Sequence, residues 1–461
     1  MTSFSEKIYN SSPTWIQNQL VSLAGYLLYK KRYTGNVAKQ LKKDLKIAAT
    51  WNKQQIESFQ NEKLHEMVKF CSENIPYYKT LFAEINLKSN DITSTKDLAK
   101  IPTLSKDILK ASPDLFKAPK EKPYVIQNTS GSSGTPLSVW VNEYTYKLAM
   151  ALVVEHEEKQ EVYFGDKRAT FAGRMIQPIG NLNAPFSRFN KYENQRIYSS
   201  YHLNENTFPE YEKDLNKFSP KEIIGYPSAI YELAYQFKQK KTKPKFKLKT
   251  VITNSETLLE WQRTLIEDVF DVKVKDYYGS AEYVMFSSQC FNQHYHLNPL
   301  IGITEIVDLN GNPIIEEEGD VIATTLTNFT MPLLRYKIGD RAKLSYAECS
   351  CGNNNSFFKS ILGRIDDIVT TTDGRKIGRL DHIFKGIDGI KEAQIIQKTK
   401  TLCNVNVVVS MNKEKINTEK VKKALIDRTS NDMQVKINFV ESIPKGKNGK
   451  FKSVISELNN E

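Results

Sequence analysis

Two rhythms of apolar and polar positions run along this chain, and the middle third carries the clearer one. An apolar run, Glu222–Pro227 (EIIGYP), leads into SAIYELAYQFKQKK, whose apolar residues recur at helical spacing. Leu248–Asn254 (LKTVITN) then reads as a strand, Thr257–Phe270 (TLLEWQRTLIEDVF) as a helix and Val272–Tyr278 (VKVKDYY) as a strand again. In the second helix Leu258, Leu265, Ile266, Val269 and Phe270 share one face, and Ser255 or Thr257 is placed to cap its open N–H groups. Strands alternating with helices predict parallel βαβ units, in which ligands bind beyond the carboxyl ends of the strands.

The second rhythm starts near Gly363–Asp367 (GRIDD). Glu392–Lys398, Val405–Val409 and Gln434–Val440 are short strand patterns, and Lys420–Arg428 reads as a helix between the last two. The expected architecture is α/β: a large N-terminal domain with parallel βαβ sheets over 1–363, and a small α+β domain over 364–461. The tail IPKGKNGKFKS is too basic and glycine-rich to belong to a core. No internal repeat or low-complexity tract interrupts this order.

Near the start, Trp15–Tyr29 (WIQNQLVSLAGYLLY) is apolar but interrupted by Gln and Ser, and too short to span a bilayer. Lys30, Lys31 and Arg32 follow it. A helix packed on the main body is the expectation, and peripheral contact with a membrane is the alternative. No cleavable apolar leader is apparent, so a soluble, cytoplasmic protein is expected.

Composition narrows the classes. At 461 residues, two or three domains are expected, and 40% hydrophobic content excludes global disorder. The net charge of +12 suits a polyanionic partner: nucleic acid, an anionic membrane or a phosphorylated small molecule. The densest basic run, Lys240–Lys249 (KKTKPKFKLK), holds a single aromatic and no nucleic-acid recognition motif, so no nucleic-acid partner is expected. Five cysteines do not make a disulfide framework in a chain this long.

Candidate chemistry lies in a few short stretches. Within Asn128–Leu137 (NTSGSSGTPL), Thr129, Ser130, Gly131, Ser132, Ser133, Gly134 and Thr135 could wrap phosphate oxygens with N–H groups and hydroxyls; the same composition would serve a flexible linker. No Walker lysine is present. Tyr278–Glu282 (YGSAE) follows a strand pattern, where a site loop belongs, and Arg335–Asp340 (RYKIGD) places a carboxylate after another. Cys290, His296 and the pair Cys349 and Cys351 offer three thiolates and one imidazole, the donor set of a closed tetrahedral zinc site. Neither spacing is the usual one, and His294 competes for the imidazole position. Cys71 and Cys403 read as packing residues.

In order and distance these stretches resemble the superfamily of adenylate-forming ligases that includes acyl- and aryl-CoA synthetases, from about residue 100 to the C-terminus. The phrases TLTNFTMPLLRYKIGD and YGSAEYVMFSSQC…YHLNP are most similar to the phenylacetate–CoA ligase branch, and within it to relatives linked to capsular polysaccharide biosynthesis. The resemblance implies that a small carboxylic acid attacks the α-phosphate of ATP to give an acyl-adenylate, and that a nucleophile then displaces AMP. It implies CoA as acceptor; an amine or sugar acceptor is the alternative for the capsule-linked relatives. Thr129 to Thr135 would then hold the β- and γ-phosphates, with Leu137 standing where many members have a lysine. Tyr278, Gly279 and Ser280 would lie against adenine and the acyl carboxylate, and Glu282 would bind Mg²⁺. Asp340 would hold the ribose hydroxyls, Arg364 would approach the phosphate or ribose, and Asp366 would be the hinge of a mobile C-terminal domain. Lys450 would bridge the α-phosphate and the carboxylate. Tyr226 and Pro227 match positions that line the acyl pocket; Arg174 and His202 could meet a charged substrate group or be structural. Some members of the branch carry a zinc on a comparable Cys/His set. Oligomeric state stays open, a homodimer included.

Overall fold

Helices α1 (Phe4–Ser11), α2 (Thr14–Tyr33), α3 (Asn36–Ala48), α4 (Lys53–Asn74), α5 (Pro76–Glu84) and α6 (Lys106–Ala111) open the chain. A hairpin of β1 (Val125–Asn128) and β2 (Ser138–Val141) follows, then α7 (Glu143–Glu158). The computed structural model describes residues 4–128, 137–178, 180–364, 369–445 and 451–458, apart from 373–375, 378–379, 385–386, 388 and 410–412 within the fourth stretch.

The continuous apolar runs become parallel strands because both of their faces are covered. The parallel strands are β3 (Arg168–Phe171), β5 (Gln195–Tyr198), β6 (Glu222–Gly225), β7 (Thr250–Asn254) and β8 (Val274–Gly279), with α8 (Phe208–Phe218), α9 (Pro227–Gln239) and α10 (Glu260–Phe270) between them, and the edge strand β4 (Ser187–Asn190) runs antiparallel to β5. β5, β3, β6, β7 and β8 pair parallel in that order, and every residue of β6 and β7 is buried. One departure from the reading is the start of α10. Its cap is Leu259, whose N–H is taken by the Gln262 side chain at 3.1 Å. Ser255 and Thr257 stay in the preceding loop, and Ser255 spends its hydroxyl on Asn254 Oδ1 at 2.8 Å. The helix starts later than Ser255 or Thr257 could cap it, and Gln262 turns back to the N–H of Leu259, the cap residue itself, as in one half of a capping box.

Past β8 the sheet turns antiparallel: β9 (Phe286–Gln289), β10 (Tyr295–Leu297), β11 (Gly302–Val307), β12 (Glu318–Thr325), β13 (Tyr336–Ser345) and β14 (Phe357–Arg364). Among the described residues the whole sheet has twelve strands, in the order β11-β12-β13-β14-β10-β9-β8-β7-β6-β3-β5-β4. A large apolar cluster joins the antiparallel half to α4 and α5, through Leu64, Met67, Tyr78, Phe82, Tyr336 and Phe358. Inside it Arg335 is 2% exposed and clamped by Glu305, at 3.1 and 3.2 Å, and by the carbonyls of Ile101 and Gly311. Arg335 is therefore structural; removing it would strand a buried carboxylate at a cost of about 3–5 kcal/mol.

The C-terminal segment builds its own sheet and core. The short pair β15 (Val369–Thr370) and β16 (Lys376–Ile377) precedes β17 (Ile390–Thr399), β18 (Leu402–Val409), α11 (Thr418–Arg428), β19 (Gln434–Phe439) and β20 (Val454–Ser456), the last four strands ordered β19-β18-β17-β20. Val369, Leu380, Ile395, Cys403, Val405 and Leu425 pack between the sheet and the helix. β20 was not expected. It lies just past IPKGKNGKFKS, where Val454 is buried and pairs with Ile395 of β17 in parallel register. The smaller body touches the larger one at α9: Tyr231 OH donates to Lys391 O at 3.2 Å, and Lys391 Nζ reaches Glu232 at 3.3 Å.

Candidate active site and metal centre

The loops that leave the carboxyl ends of the parallel strands meet along one edge. β6 ends at Gly225, where a Cβ would lie 2.0 Å from Phe171 O; glycine permits that approach, and the Tyr226 N–H bonds Phe171 O at 2.8 Å. Tyr226 thereby becomes the residue that starts α9. β7 ends in the loop holding Glu256, and β8 ends at Gly279 in the turn YGSAE, closed by Tyr283 N–H on Ser280 O at 3.1 Å.

Two bonds tie this turn to β13. Tyr278 OH donates to Asp340 Oδ2 at 2.6 Å, and Tyr336 OH donates to Glu282 Oε1 at 2.9 Å. Three strands separate β8 from β13 in the sheet, so the antiparallel half must curl to bring them together. Glu282 is 5% exposed and also has Lys106 Nζ of α6 at 3.6 Å. Asp340 pairs across β13 and β14 with the backbone of Arg364. On the other side, Tyr283 OH reaches Gln127 Oε1 at 3.4 Å, and Ser138 Oγ bonds Asn128 Oδ1 at 2.6 Å, so both flanks of the serine–glycine stretch are paired. Thr129, Ser130, Gly131, Ser132, Ser133, Gly134 and Thr135 lie outside the described residues, as do Asp366, Lys450 and the side chain of Arg364.

Sequence reasoning missed Glu256 and Lys106. Glu256 Oε1 accepts from Phe451 N–H at 2.7 Å and from Ser228 Oγ at 3.1 Å, and its Oε2 accepts from Ser228 N–H at 3.0 Å. It therefore caps α9 and holds the residue that directly follows Lys450. Burial raises the Glu256 carboxyl above the ordinary range, against the lowering pull of those donors. Glu256 could have been found as the acid just after β7; one lysine among 65 basic residues gives no signal. Beneath the edge, Asp276 accepts from Thr253 and Tyr295 hydroxyls, both at 2.7 Å, and burial lifts its carboxyl to about 6.

Beside α2, a cavity of about 260 Å³ is lined by Arg174, Arg32, Arg188 and Glu193. Arg188 is spent on Gln17, Gln177 and two carbonyls. His202 is buried, with Ser199 Oγ on Nδ1 at 2.7 Å and Pro178 O on Nε2 at 3.1 Å, which gives it a structural place. In the basic run, Lys240 and Lys249 pair with Glu205 and Glu161, and Phe246 is buried.

On the antiparallel half Cys290, His296, Cys349 and Cys351 come together: their ligand atoms all lie within 4.8 Å of one another. Cys290 and Cys349 Sγ are 4.0 Å apart, and Cys351 Sγ is 3.2 Å from His296 Nε2. For a tetrahedral zinc with Zn–S of about 2.3 Å, sulfurs sit about 3.8 Å apart, so the donors fit that ion. His296 Nδ1 lies 3.1 Å from Asn355 O, which fixes the tautomer that leaves Nε2 toward the cluster. His294, the competing imidazole, stacks on Phe357 at 4.3 Å and approaches Cys349 Sγ at 3.3 Å from outside the set. Burial raises the Cys349 thiol, but the Cys351 N–H, Asn292 and His294 outweigh it and bring it down to about 5. Cys71 and Cys403 are buried in separate apolar clusters.

Residues 369–457 match the family model described as CapK C-terminal domain. The chain is 27% identical over 456 residues to "Protein CapK" of Staphylococcus aureus, covering 98% of this chain and 99% of that one. It is 25% identical over 340 residues to a phenylacetate–coenzyme A ligase of Thermus thermophilus, covering 69% and 73%. Among solved structures, a 2-hydroxyisobutyryl-CoA ligase in its postadenylation state overlays with a TM-score of 0.71 at 17% identity, covering 90% of this chain and 92% of that one. In its thioesterification state the same protein overlays at 0.54.

Proposed function

We propose that this chain, a relative of CapK and of the phenylacetate–coenzyme A ligases, is an AMP-forming ligase that activates a small carboxylic acid at the carboxyl edge of its parallel strands. The observation that carries this reading is the pair of bonds from the β8 turn to β13, which brings Tyr278, Glu282 and Asp340 to one junction between the two elements. A carboxylate oxygen of the acid attacks the α-phosphorus of ATP; the bond from that phosphorus to the bridging oxygen breaks, and pyrophosphate leaves. An acceptor nucleophile then attacks the acyl carbon, AMP departs with the electron pair of the acyl–oxygen bond, and the acceptor loses a proton.

Each residue has a physical task. The barrier to the first step is repulsion between two anions, so cations and N–H donors must surround the phosphates. Thr129 to Thr135 would supply donors to the β- and γ-phosphates, and Arg364 a cation near phosphate or ribose. Asp340, steadied by Tyr278, would take the two ribose hydroxyls as a double acceptor. Tyr278, Gly279 and Ser280 would border adenine and the acyl group. Glu282 fits Mg²⁺, a hard cation held by one carboxylate plus substrate oxygens, and when bound that ion would shield phosphate charge. Lys450 would bring its ammonium to the reacting oxygens; Glu256, bonded to the next residue, supports the reading that the tail is anchored at this edge. Asp366 would be the hinge of a mobile domain spanning 364–461. The better overlay with a postadenylation-state structure is consistent with the first-step arrangement of the two bodies.

The Cys290, His296, Cys349 and Cys351 set would hold a structural zinc, since four protein donors leave no open position for substrate. CoA is the acceptor in this reading. Transfer to an amine or sugar is the second reading. Pyrophosphate exchange over a panel of aryl, fatty and amino acids tests the first step without assuming an acceptor. Acid-dependent exchange is expected with at least one class; exchange with none would refute it.

A further inference from the structure

α2 is turned the wrong way for a helix of a water-soluble body. Its buried positions are Gln17, Ser22 and Gly25, and polar bonds fix that face to β4. Gln17 Oε1 accepts from Arg188 Nε at 2.5 Å, Asn18 Oδ1 from the Phe189 N–H at 2.9 Å, and Ser22 Oγ donates to Phe189 O at 3.1 Å. Gly25 rides close on Asn190: a Cβ there would lie 2.1 Å from its Oδ1. The opposite face presents Trp15, Leu20, Leu23 and Leu27, which are 67%, 39%, 57% and 61% exposed. At 100° per residue these four fall within an arc of roughly 140°. α3 is built the usual way, with Leu41 and Leu45 buried and Lys39, Lys42, Lys43 and Lys46 exposed. A single exposed leucine needs no explanation; an apolar stripe along the outer face of a helix held by its polar face does.

We infer that the outer face of α2 docks peripherally on an anionic lipid surface. Charge selects this occupant. Residues 30–46 hold six lysines and one arginine against one acid, Asp44. Lys30 falls on the same arc as the apolar stripe, its Nζ 4.8 Å from the Tyr26 ring. An apolar stripe followed by lysines suits the boundary between acyl chains and anionic headgroups, where each nearby lysine adds attraction. A second copy of the chain would bring the same basic segment, and a net charge of +12, against itself. No helix among the described residues is long and apolar enough to cross a membrane, so contact along the surface is the mode that fits.

Co-sedimentation of the full chain with phosphatidylcholine vesicles containing about a third phosphatidylglycerol tests this, with pure phosphatidylcholine vesicles alongside. The account expects binding to the anionic vesicles, weakened by salt, and a fall of about tenfold or more in the partition coefficient for the double variant Leu23→Glu, Leu27→Glu. Both side chains are exposed, so the variant should melt with the wild type; Lys30→Gln, which leaves the stripe intact, should weaken anionic binding alone. Absence of vesicle binding by the wild type, or equal binding by the double variant, overturns the inference. A concentration-dependent dimer that the double variant dissolves, without vesicle binding, would assign the face to a second copy and overturn it equally.

Discussion

Two polar centres share one sheet and are finished to different degrees. Cys290, His296, Cys349 and Cys351 hold their donor atoms within 4.8 Å of one another, with the imidazole already oriented by a backbone carbonyl. At the carboxyl edge, by contrast, Glu282, Asp340 and Glu256 are each held by their own partners: a tyrosine steadies each of the first two, and backbone N–H groups hold the third. A closed donor set is complete once an ion enters and can only support the fold. In the proposed reading, an open edge of separately steadied carboxylates is completed only when substrate binds. The first should govern stability and the second turnover.

Lys450→Ala is the hardest test of that division. It should lower acyl-adenylate formation by about 10²–10³-fold, as loss of one preorganised charge at a transition state does, while transfer from a supplied adenylate stays near wild type. Equal losses in both half-reactions would take Lys450 out of its assigned role. Cys349→Ser should do the reverse: metal analysis should fall from about one zinc per chain to none, and the melting temperature should drop by several degrees. Exchange per folded molecule should remain within a few-fold of wild type. A large loss of exchange with unchanged melting would make the cluster part of the catalytic apparatus.

The smallest effect concerns Asp276, below the edge. Its folded carboxyl is raised by burial from 3.8 to about 6, so the folded state binds a proton more tightly than the unfolded one. That contribution is fully present below about pH 4 and is lost as pH rises through 6, by roughly 3 kcal/mol in all. Asp276→Asn should remove this slope from a series of denaturant melts, and an unchanged slope would place the titration elsewhere.

Of the parallel half, β6, β7 and β8 with α9 and α10 were legible, because β6 and β7 are buried apolar runs and the helices keep an apolar face, whereas β3 (RATF) and β5 (QRIY) are short and mixed in polarity. The antiparallel half, from β9 to β14, alternates weakly and is covered by α4 and α5, whose packing depends on contacts far apart in sequence. The Cys/His set could be read because cysteine is scarce here. His296 was named there with His294 as its competitor, and the structure turns His296 Nε2 into the set while His294 stacks on Phe357. Lys106 and Glu256 were hidden because ordinary charged residues acquire meaning only when folding sets them beside Glu282 and Phe451. α2 is the helix packed on the body that was expected, but which face turns inward was decided by the polar bonds of Gln17, Asn18 and Ser22 to β4.

The most direct test is acid-dependent pyrophosphate exchange measured on Asp340→Ala beside the wild type, with melting temperatures recorded for both. A loss of about a hundredfold or more in exchange, with little change in melting, is the predicted result. Wild-type exchange in a folded Asp340→Ala protein would contradict it, because the nucleotide would then not be held at Asp340.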